Sequence, residues 1–181
     1  MQQEFIFAGF GGQGVLLMGQ LIAYAALYEG KKVSWIPSYG PEMRGGTANC
    51  TVVVSDHEIG SPVVTRPSCV VAMNLPSLDK FEDRVKPGGV LVINSSMINR
   101  EPRRTDVTVI KVPATATATE LGNQRVANMV ALGAVVEATR VVSVEGLLDT
   151  LRKKLPAHHQ DLLPLNQKAV ELGRSFVSQV V

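Results

Sequence analysis

The sequence predicts a single α/β domain with a mostly parallel sheet and helices on both faces. Short apolar segments typical of buried strands alternate with helical segments along the chain, which is the pattern of a parallel sheet. The 181 residues, 45% of them apolar, are enough to bury one core. No internal repeat and no linker-like segment divides the chain, so we expect residues 1–181 to form one domain.

The chain opens with a strand, a glycine-rich turn and a long helix. Residues 5–9 form a continuously apolar run, which is typical of a strand buried on both faces. A helix is expected over residues 13–28, ended by Gly30. The pattern then predicts two strands and an intervening loop rich in glycine and proline, with the strands at 32–37 and 47–55 and the loop at 38–46.

The alternation continues towards the C-terminus. It predicts strands at 68–73, 90–94 and 107–112, and helices at 76–85, 144–153 and 165–177. Thr117 and Glu120 have the spacing of a capping box, which predicts that a helical stretch begins at Thr117. Asn123 is expected to cap a further helix that runs to Thr139.

Two of the predicted helices are apolar on nearly all sides, although a helix that covers a sheet should have a polar outer face. They span residues 15–28 and 126–138. Either the two helices bury each other, or one of them contacts another protein. The pattern supports both explanations equally.

The turn after the first strand matches the pattern Gly-x-Gly-x-x-Gly, and its predicted site residues are Gly9, Gly11, Gly12, Gln13 and Gly14. Glycines permit positive φ angles and let the backbone approach a ligand closely. The amides of the first helical turn have no internal partner and attract a phosphate or carboxylate. A dinucleotide is less favoured, because the second strand ends without the Asp or Glu that binds ribose hydroxyls. The alternative without a ligand is that the glycines serve tight strand–helix packing.

The loop at 38–46 should meet this turn at one edge of the sheet, where ligands bind in open α/β folds. From this loop, Tyr39, Glu42, Arg44 and Gly45 are predicted to belong to the same binding site. The guanidinium of Arg44 is a planar fork suited to phosphate or carboxylate. The alternative is a surface turn with a local Glu42–Arg44 ion pair.

Several polar residues at element ends are expected near the same edge. Asn74 and Asn94 end two predicted strands, and Arg125 and Asn128 lie on or next to the second apolar helix. Arg125 and Asn128 could face the ligand cleft, although a cap interaction or helix packing explains them almost as well. No Ser–His–Asp grouping accompanies them, so the sequence predicts a binding surface without catalytic residues.

Composition argues against several classes of function. The net charge is only +2 and the basic clusters are short, so nucleic-acid binding is not expected. No apolar run approaches the ~20 residues of a membrane span, and the N-terminus has no signal-peptide pattern. Cys50 and Cys69 lie in no metal-ligand spacing. These features predict a cytoplasmic protein that binds no metal.

Three segments, taken together and in this order, resemble the γ subunit of 2-oxoacid:ferredoxin oxidoreductases, namely residues 9–14, 38–46 and 123–133. The second segment contains Tyr-Gly-Pro-Glu-Met-Arg-Gly-Gly, which is more similar to the 2-oxoglutarate or branched-chain 2-oxoacid group than to the pyruvate group. The resemblance covers essentially the whole chain. It implies a Rossmann-like domain within an enzyme that oxidatively decarboxylates a 2-oxoacid, such as 2-oxoglutarate, to its acyl-CoA and reduces ferredoxin.

The resemblance also implies a division of work among subunits. Thiamine diphosphate is expected at the alpha and beta subunits, and iron–sulfur clusters in the beta subunit or in a ferredoxin-like delta subunit, so the isolated chain should be inactive. The glycine turn and Arg44 would line the cleft for the substrate coenzyme A, whose phosphates suit an anion site. Two alternatives remain: the same loops bind carboxylates of partner subunits, or the chain is a stand-alone nucleotide- or flavin-binding protein.

Overall fold

The computed structural model describes residues 1–38 and 47–179, and for Gln179 only the backbone. The described strands are β1 (Gln2–Phe10), β2 (Lys32–Ser38), β3 (Thr47–Ser55), β4 (Cys69–Ala72), β5 (Val90–Asn94) and β6 (Thr108–Val112). They form one sheet in the order β2-β3-β1-β4-β5-β6.

The sheet is mostly parallel, as predicted, and β3 is the reversed strand. β4 pairs in parallel with both β1 and β5, and β5 does so with β6, whereas β3 is antiparallel to β1 and to β2. The reason lies in the connection between β2 and β3. Only residues 39–46 join these strands, and a parallel crossover needs roughly a dozen residues or more.

The described helices are α1 (Val15–Tyr28), α2 (Leu75–Phe81), α3 (Ala114–Glu120), α4 (Ala127–Thr139), α5 (Val144–Lys154) and α6 (Leu163–Ser175). Short 3₁₀ turns lie at Glu82–Arg84, Gln124–Val126, Ala157–Leu162 and Val177–Gln179. Among the described residues, no helix has both the length and the hydropathy needed to cross a membrane.

The predicted helix start at Thr117 is wrong, because α3 begins at Ala114 and Thr117 lies inside it. The early start has a tertiary cause. The Asn94 side-chain oxygen, at the end of β5, accepts hydrogen bonds from the amides of Ala114 (3.1 Å) and Thr115 (3.4 Å). The prediction for Asn123 is confirmed, since its side chain caps the 3₁₀ turn that leads directly into α4.

Helices cover both faces of the sheet, as predicted, but unequally. On β1, Phe5 and Phe7 face a core to which α1, α3, α4, α5 and α6 contribute. Ile6 and Ala8 face a second core, which α2 and irregular segments cover. The alternation of faces follows from the two-residue period of a strand.

The all-round apolar character of α4 is explained by cover on two sides. Ten of its 13 residues are buried, between the sheet on one side and α6 on the other. The two helices cross at Gly133 and Gly173, where an added methyl group would overlap the backbone carbonyls of Val170 and Val130, respectively. Most of the outer cover of α4 therefore comes from α6 and not from α1, so the explanation that the two apolar helices bury each other is wrong.

Helix α1, in contrast, keeps part of its apolar surface exposed. Leu17, Tyr24, Leu27 and Tyr28 on α1 are each between 39% and 50% exposed, and Trp35 of the edge strand β2 lies on the same side of the sheet. We call these five residues the α1–β2 surface. A groove of about 200 Å³ runs through it, with Trp35 of β2 as one wall.

A buried carboxylate ties α2 to the segment after β5. The Glu82 side chain is fully buried and accepts hydrogen bonds from Arg100 and Arg103, both at 2.7 Å. Burial opposes the ionisation of this carboxyl, but the hydrogen bonds from the two arginines outweigh it and hold the pKa of Glu82 below its usual value.

Candidate functional site

The glycine turn, residues 9–14, lies at the edge of the sheet where β1, β4 and β5 end, which is the ligand-binding edge of open α/β sheets. The amide of Gln13 donates to the carbonyl of Phe10 (3.1 Å) and closes the turn. Gly12 and Gly14 have φ angles of 90° and 72°, in the left-handed region that favours glycine. The local sequence thus determines the shape of this turn.

The side chain of Gln13 anchors the turn to the end of β4. Its Oε1 accepts from the amide of Phe10 (2.7 Å) and from Asn74 Nδ2 (3.3 Å), and its Nε2 donates to the carbonyl of Met73 (3.3 Å). An added Cβ at Gly9 would lie 2.7 Å from Gln13 Oε1 and 3.0 Å from Met73 Cβ. Tight packing therefore accounts for Gly9, and the Gln13 side chain serves to hold the turn.

Asn128, on α4, supports the turn from the interior. It is only 5% exposed, and its Nδ2 lies 3.4 Å from the carbonyl oxygen of Gly14, while its Oδ1 accepts from the amide of Met129 (2.9 Å). Any side chain at residue 14 would overlap the Asn128 amide. Packing is thus a sufficient role for Asn128, and its contact with a ligand stays a prediction.

Other amides of the turn remain available. Within the described residues, the N–H groups of Gly11, Gly12 and Gly14 have no hydrogen-bond partner. No side chain caps the N-terminus of α1, and its first turn contains no acidic residue. These amides can therefore receive an anion from outside the described part of the chain.

Two cavities flank the turn, one towards β3 and one towards β4. The first, of about 380 Å³, lies against Gly11, Leu17 and Ala48, and none of the described residues that line it is charged. The second, of about 360 Å³, lies between Gly12, Met73, Thr115 and Arg125. We call this second space the Arg125 cavity. Met97 and Thr115 were not singled out from the sequence, because only the tertiary fold brings the ends of β5 and β6 to this place.

The site residues predicted from the loop at 38–46 are a separate case. Tyr39, Glu42, Arg44 and Gly45 lie outside the described residues, so their place in the site stays a prediction. The residues that flank their segment are described. Ser38 pairs with Asn49, and Thr47 pairs with Phe10, so the segment joins the sheet at the edge where β1 enters the glycine turn.

Both thiols of the chain are buried, and they stay protonated and unreactive at neutral pH. Burial raises the pKa of both Cys50 and Cys69 to about 12. Over residues 1–38 and 47–179, no group of three or more His, Cys, Asp or Glu side chains could hold a metal ion. What the described residues bring together is a set of backbone donors between two cavities.

Comparison with known proteins agrees with this arrangement. The family model described as "Pyruvate ferredoxin/flavodoxin oxidoreductase" matches residues 4–176. Subunit VorA of ketoisovalerate oxidoreductase from Methanothermobacter marburgensis is 40% identical over 171 residues, which are 93% of this chain and 35% of that relative. The chain thus spans about a third of the length of this relative.

Solved structures share the fold over nearly the whole chain. The γ subunit of the keto/oxoacid ferredoxin oxidoreductase from Geobacter sulfurreducens has a TM-score of 0.85 and 32% identity, covering 98% of this chain and 99% of that one. The 2-oxoglutarate:ferredoxin oxidoreductase from Magnetococcus marinus, with 2-oxoglutarate, coenzyme A and succinyl-CoA bound, has a TM-score of 0.91 and 26% identity, covering 99% of this chain and 32% of that one. The chain therefore belongs to the pyruvate ferredoxin/flavodoxin oxidoreductase family, which confirms the resemblance seen in its three motif segments.

Proposed function

We propose that this chain is the γ subunit of a cytoplasmic 2-oxoacid:ferredoxin oxidoreductase. The family match over residues 4–176 carries the proposal, and the full-length similarity to the γ subunit from G. sulfurreducens supports it. The names of the relatives favour 2-oxoglutarate or a branched-chain 2-oxoacid as the substrate. In the complete enzyme, thiamine diphosphate binds at the alpha and beta subunits, the iron–sulfur clusters lie in the beta subunit or in delta where it is present, and the electrons pass to ferredoxin.

In this proposal, the chain forms one wall of the coenzyme A cleft. The unpartnered amides of Gly11, Gly12 and Gly14 suit a phosphate group, and the bound coenzyme A in the M. marinus enzyme supports a site for this substrate in such complexes. Gly9, Gln13 and Asn128 keep the turn in place. The chain accelerates the reaction by positioning coenzyme A, and bond chemistry takes place on the cofactors of the other subunits.

In this proposal, Tyr39, Glu42, Arg44 and Gly45 complete the cleft. The flanking residues Ser38 and Thr47 support this, since they lie beside the strand that leads into the glycine turn. Replacing Arg44 by alanine in the assembled enzyme should raise the KM for coenzyme A by about 10-fold or more, because a hydrogen bond to a charged group contributes about 1.5–3 kcal/mol. Arg152→Ala, on the exposed side of α5, is the matched control. An unchanged KM would remove Arg44 from the site.

The α1–β2 surface is proposed to bind another subunit of the enzyme. VorA carries the same domain in a chain about three times as long, so in that relative other parts of the polypeptide are available to cover it. Lys153 and Lys154 lie at the rim, with their Nζ atoms 4.5 Å from the Tyr28 ring and 3.4 Å from the Tyr24 ring. Neither lysine pairs with a carboxylate within the described residues. An apolar segment with acidic flanks therefore fits this surface.

Co-expression with the other subunits of the enzyme tests the docking surface. Leu27→Asp should abolish co-purification of the partner subunits, because it places a charge in an apolar interface. Val63→Asp, at a residue that is 69% exposed in the segment between β3 and β4, is the control and should leave the complex intact. Equal yields of complex from both variants would contradict the proposal.

The comparisons do not favour a stand-alone nucleotide- or flavin-binding protein. The purified chain alone should be colourless and nucleotide-free, and it should not reduce a viologen dye in the presence of a 2-oxoacid and coenzyme A. Turnover by the isolated chain would contradict its role as a γ subunit.

A further inference from the structure

Arg125 lines the Arg125 cavity, and no carboxylate group of the described residues lies beside it there. Its polar lining includes Gln13, Thr115, Gln124 and Arg125, and Met73 and Met97 supply apolar walls. No Asp or Glu of the described residues lines it. The net charge of the described lining residues is therefore positive, which favours an anionic ligand.

The backbone of Arg125 is held in place, whereas its guanidinium makes no contact with a charged group of the described residues. Its amide donates to Asn123 Oδ1 (3.0 Å), and the next residue, Val126, is buried. The guanidinium has no hydrogen-bond or ion-pair partner within the described residues. Arg100 and Arg174, in contrast, bind carboxylates of this chain. Because unpaired guanidinium groups at a cavity wall are available for recognition, Arg125 is the described cation best placed to bind a ligand.

We propose that Arg125 binds a phosphate group of coenzyme A in this cavity. The inference rests on the proposed function, and it assigns the phosphate to the β4 side of the glycine turn. Among the described residues that line the cavity on the β3 side, none is charged. Only the Arg125 cavity offers both a described cation and the unpartnered amide of Gly12.

The neighbouring groups fit the same ligand. The guanidinium can donate two parallel hydrogen bonds to one phosphate. The Thr115 hydroxyl oxygen already accepts from Asn94 Nδ2 (2.9 Å), so its own proton is left to donate. Coenzyme A has a diphosphate and a ribose 3′-phosphate, and either one has the chemistry that this cavity selects.

The test uses the assembled enzyme with Arg125→Gln, Arg125→Lys and the exposed control Arg152→Gln. Arg125→Gln should raise the KM for coenzyme A by about 10- to 100-fold and leave the KM for the 2-oxoacid unchanged. Arg125→Lys should recover part of the loss, because a lysine keeps the charge but not the fork. Arg125 is exposed, so the thermal stability of the variants should stay that of the wild type.

Dephospho-coenzyme A, which lacks the 3′-phosphate, identifies the phosphate that is bound. If the penalty of Arg125→Gln disappears with this substrate, Arg125 binds the 3′-phosphate, and if the penalty persists, it binds the diphosphate. A wild-type KM for coenzyme A in Arg125→Gln would overturn the inference. Loss of the partner subunits from Arg125→Gln would also overturn it, by showing that Arg125 binds a partner carboxylate. Neither result affects the γ-subunit proposal, which fails only if the wild-type chain does not assemble into an active enzyme.

Discussion

Replacing Gly14 by alanine should destabilise the protein about twice as much as replacing Gly12 by alanine. Both glycines have left-handed φ angles, of 72° and 90°. An added methyl group at Gly12 meets open space, whereas at Gly14 it overlaps the side-chain amide of Asn128. The two substitutions therefore share the backbone strain and differ in the steric overlap.

The magnitudes follow from these two terms. The strain of a left-handed alanine costs about 1–2 kcal/mol, which is the whole loss expected for Gly12→Ala. The overlap adds about 1–3 kcal/mol, so Gly14→Ala should lower the free energy of unfolding by about 2–5 kcal/mol. In an Asn128→Ala background the overlap is removed, and Gly14→Ala should then cost only the strain.

Urea denaturation of the four variants, each compared with its own parent, measures these differences. The coupling between Gly14→Ala and Asn128→Ala should equal the extra cost of Gly14→Ala over Gly12→Ala. Equal losses at the two glycines, or an extra loss at Gly14 that persists without Asn128, would show that a methyl group at residue 14 does not overlap Asn128.

Three further predictions concern the core. Glu82→Gln should lower the free energy of unfolding by about 3 kcal/mol at pH 7, because it removes a buried carboxylate whose pKa is lowered by two arginines. The difference from wild type should shrink as the pH falls below the ordinary glutamate pKa of about 4.3 towards the lowered pKa, which denaturation at pH 7 and pH 3 measures. Gly173→Ala should cost about 1–3 kcal/mol in urea denaturation, although alanine favours a helix by about 1 kcal/mol, because the methyl group overlaps the carbonyl of Val130. Cys50 and Cys69, whose pKa is raised to about 12 by burial, should react with a thiol reagent at pH 8 only after denaturation, and fast labelling of the native protein would contradict their burial.

Much of the candidate site was predictable because its shape is local. The order of glycines between an apolar strand and a helix predicts the turn, and Gly12 and Gly14 do adopt the left-handed conformation. Most element positions follow from hydrophobic period and glycine or proline boundaries. The start of α3 was not predictable, because the residue that caps it, Asn94, lies 20 residues before Ala114.

What the sequence by itself determined is the α/β class, the glycine turn and the family, since these depend on residues that are neighbours in the chain. The tertiary structure decided which residues hold the glycine turn in place, and it decided that Arg125 lies beside the turn. Gln13 is bound to Met73 across 60 residues, and Gly14 to Asn128 across 114. Arg125 lines a cavity only because α4 begins beside the ends of β4 and β5. Such contacts depend on how the elements pack, and no local pattern encodes that packing.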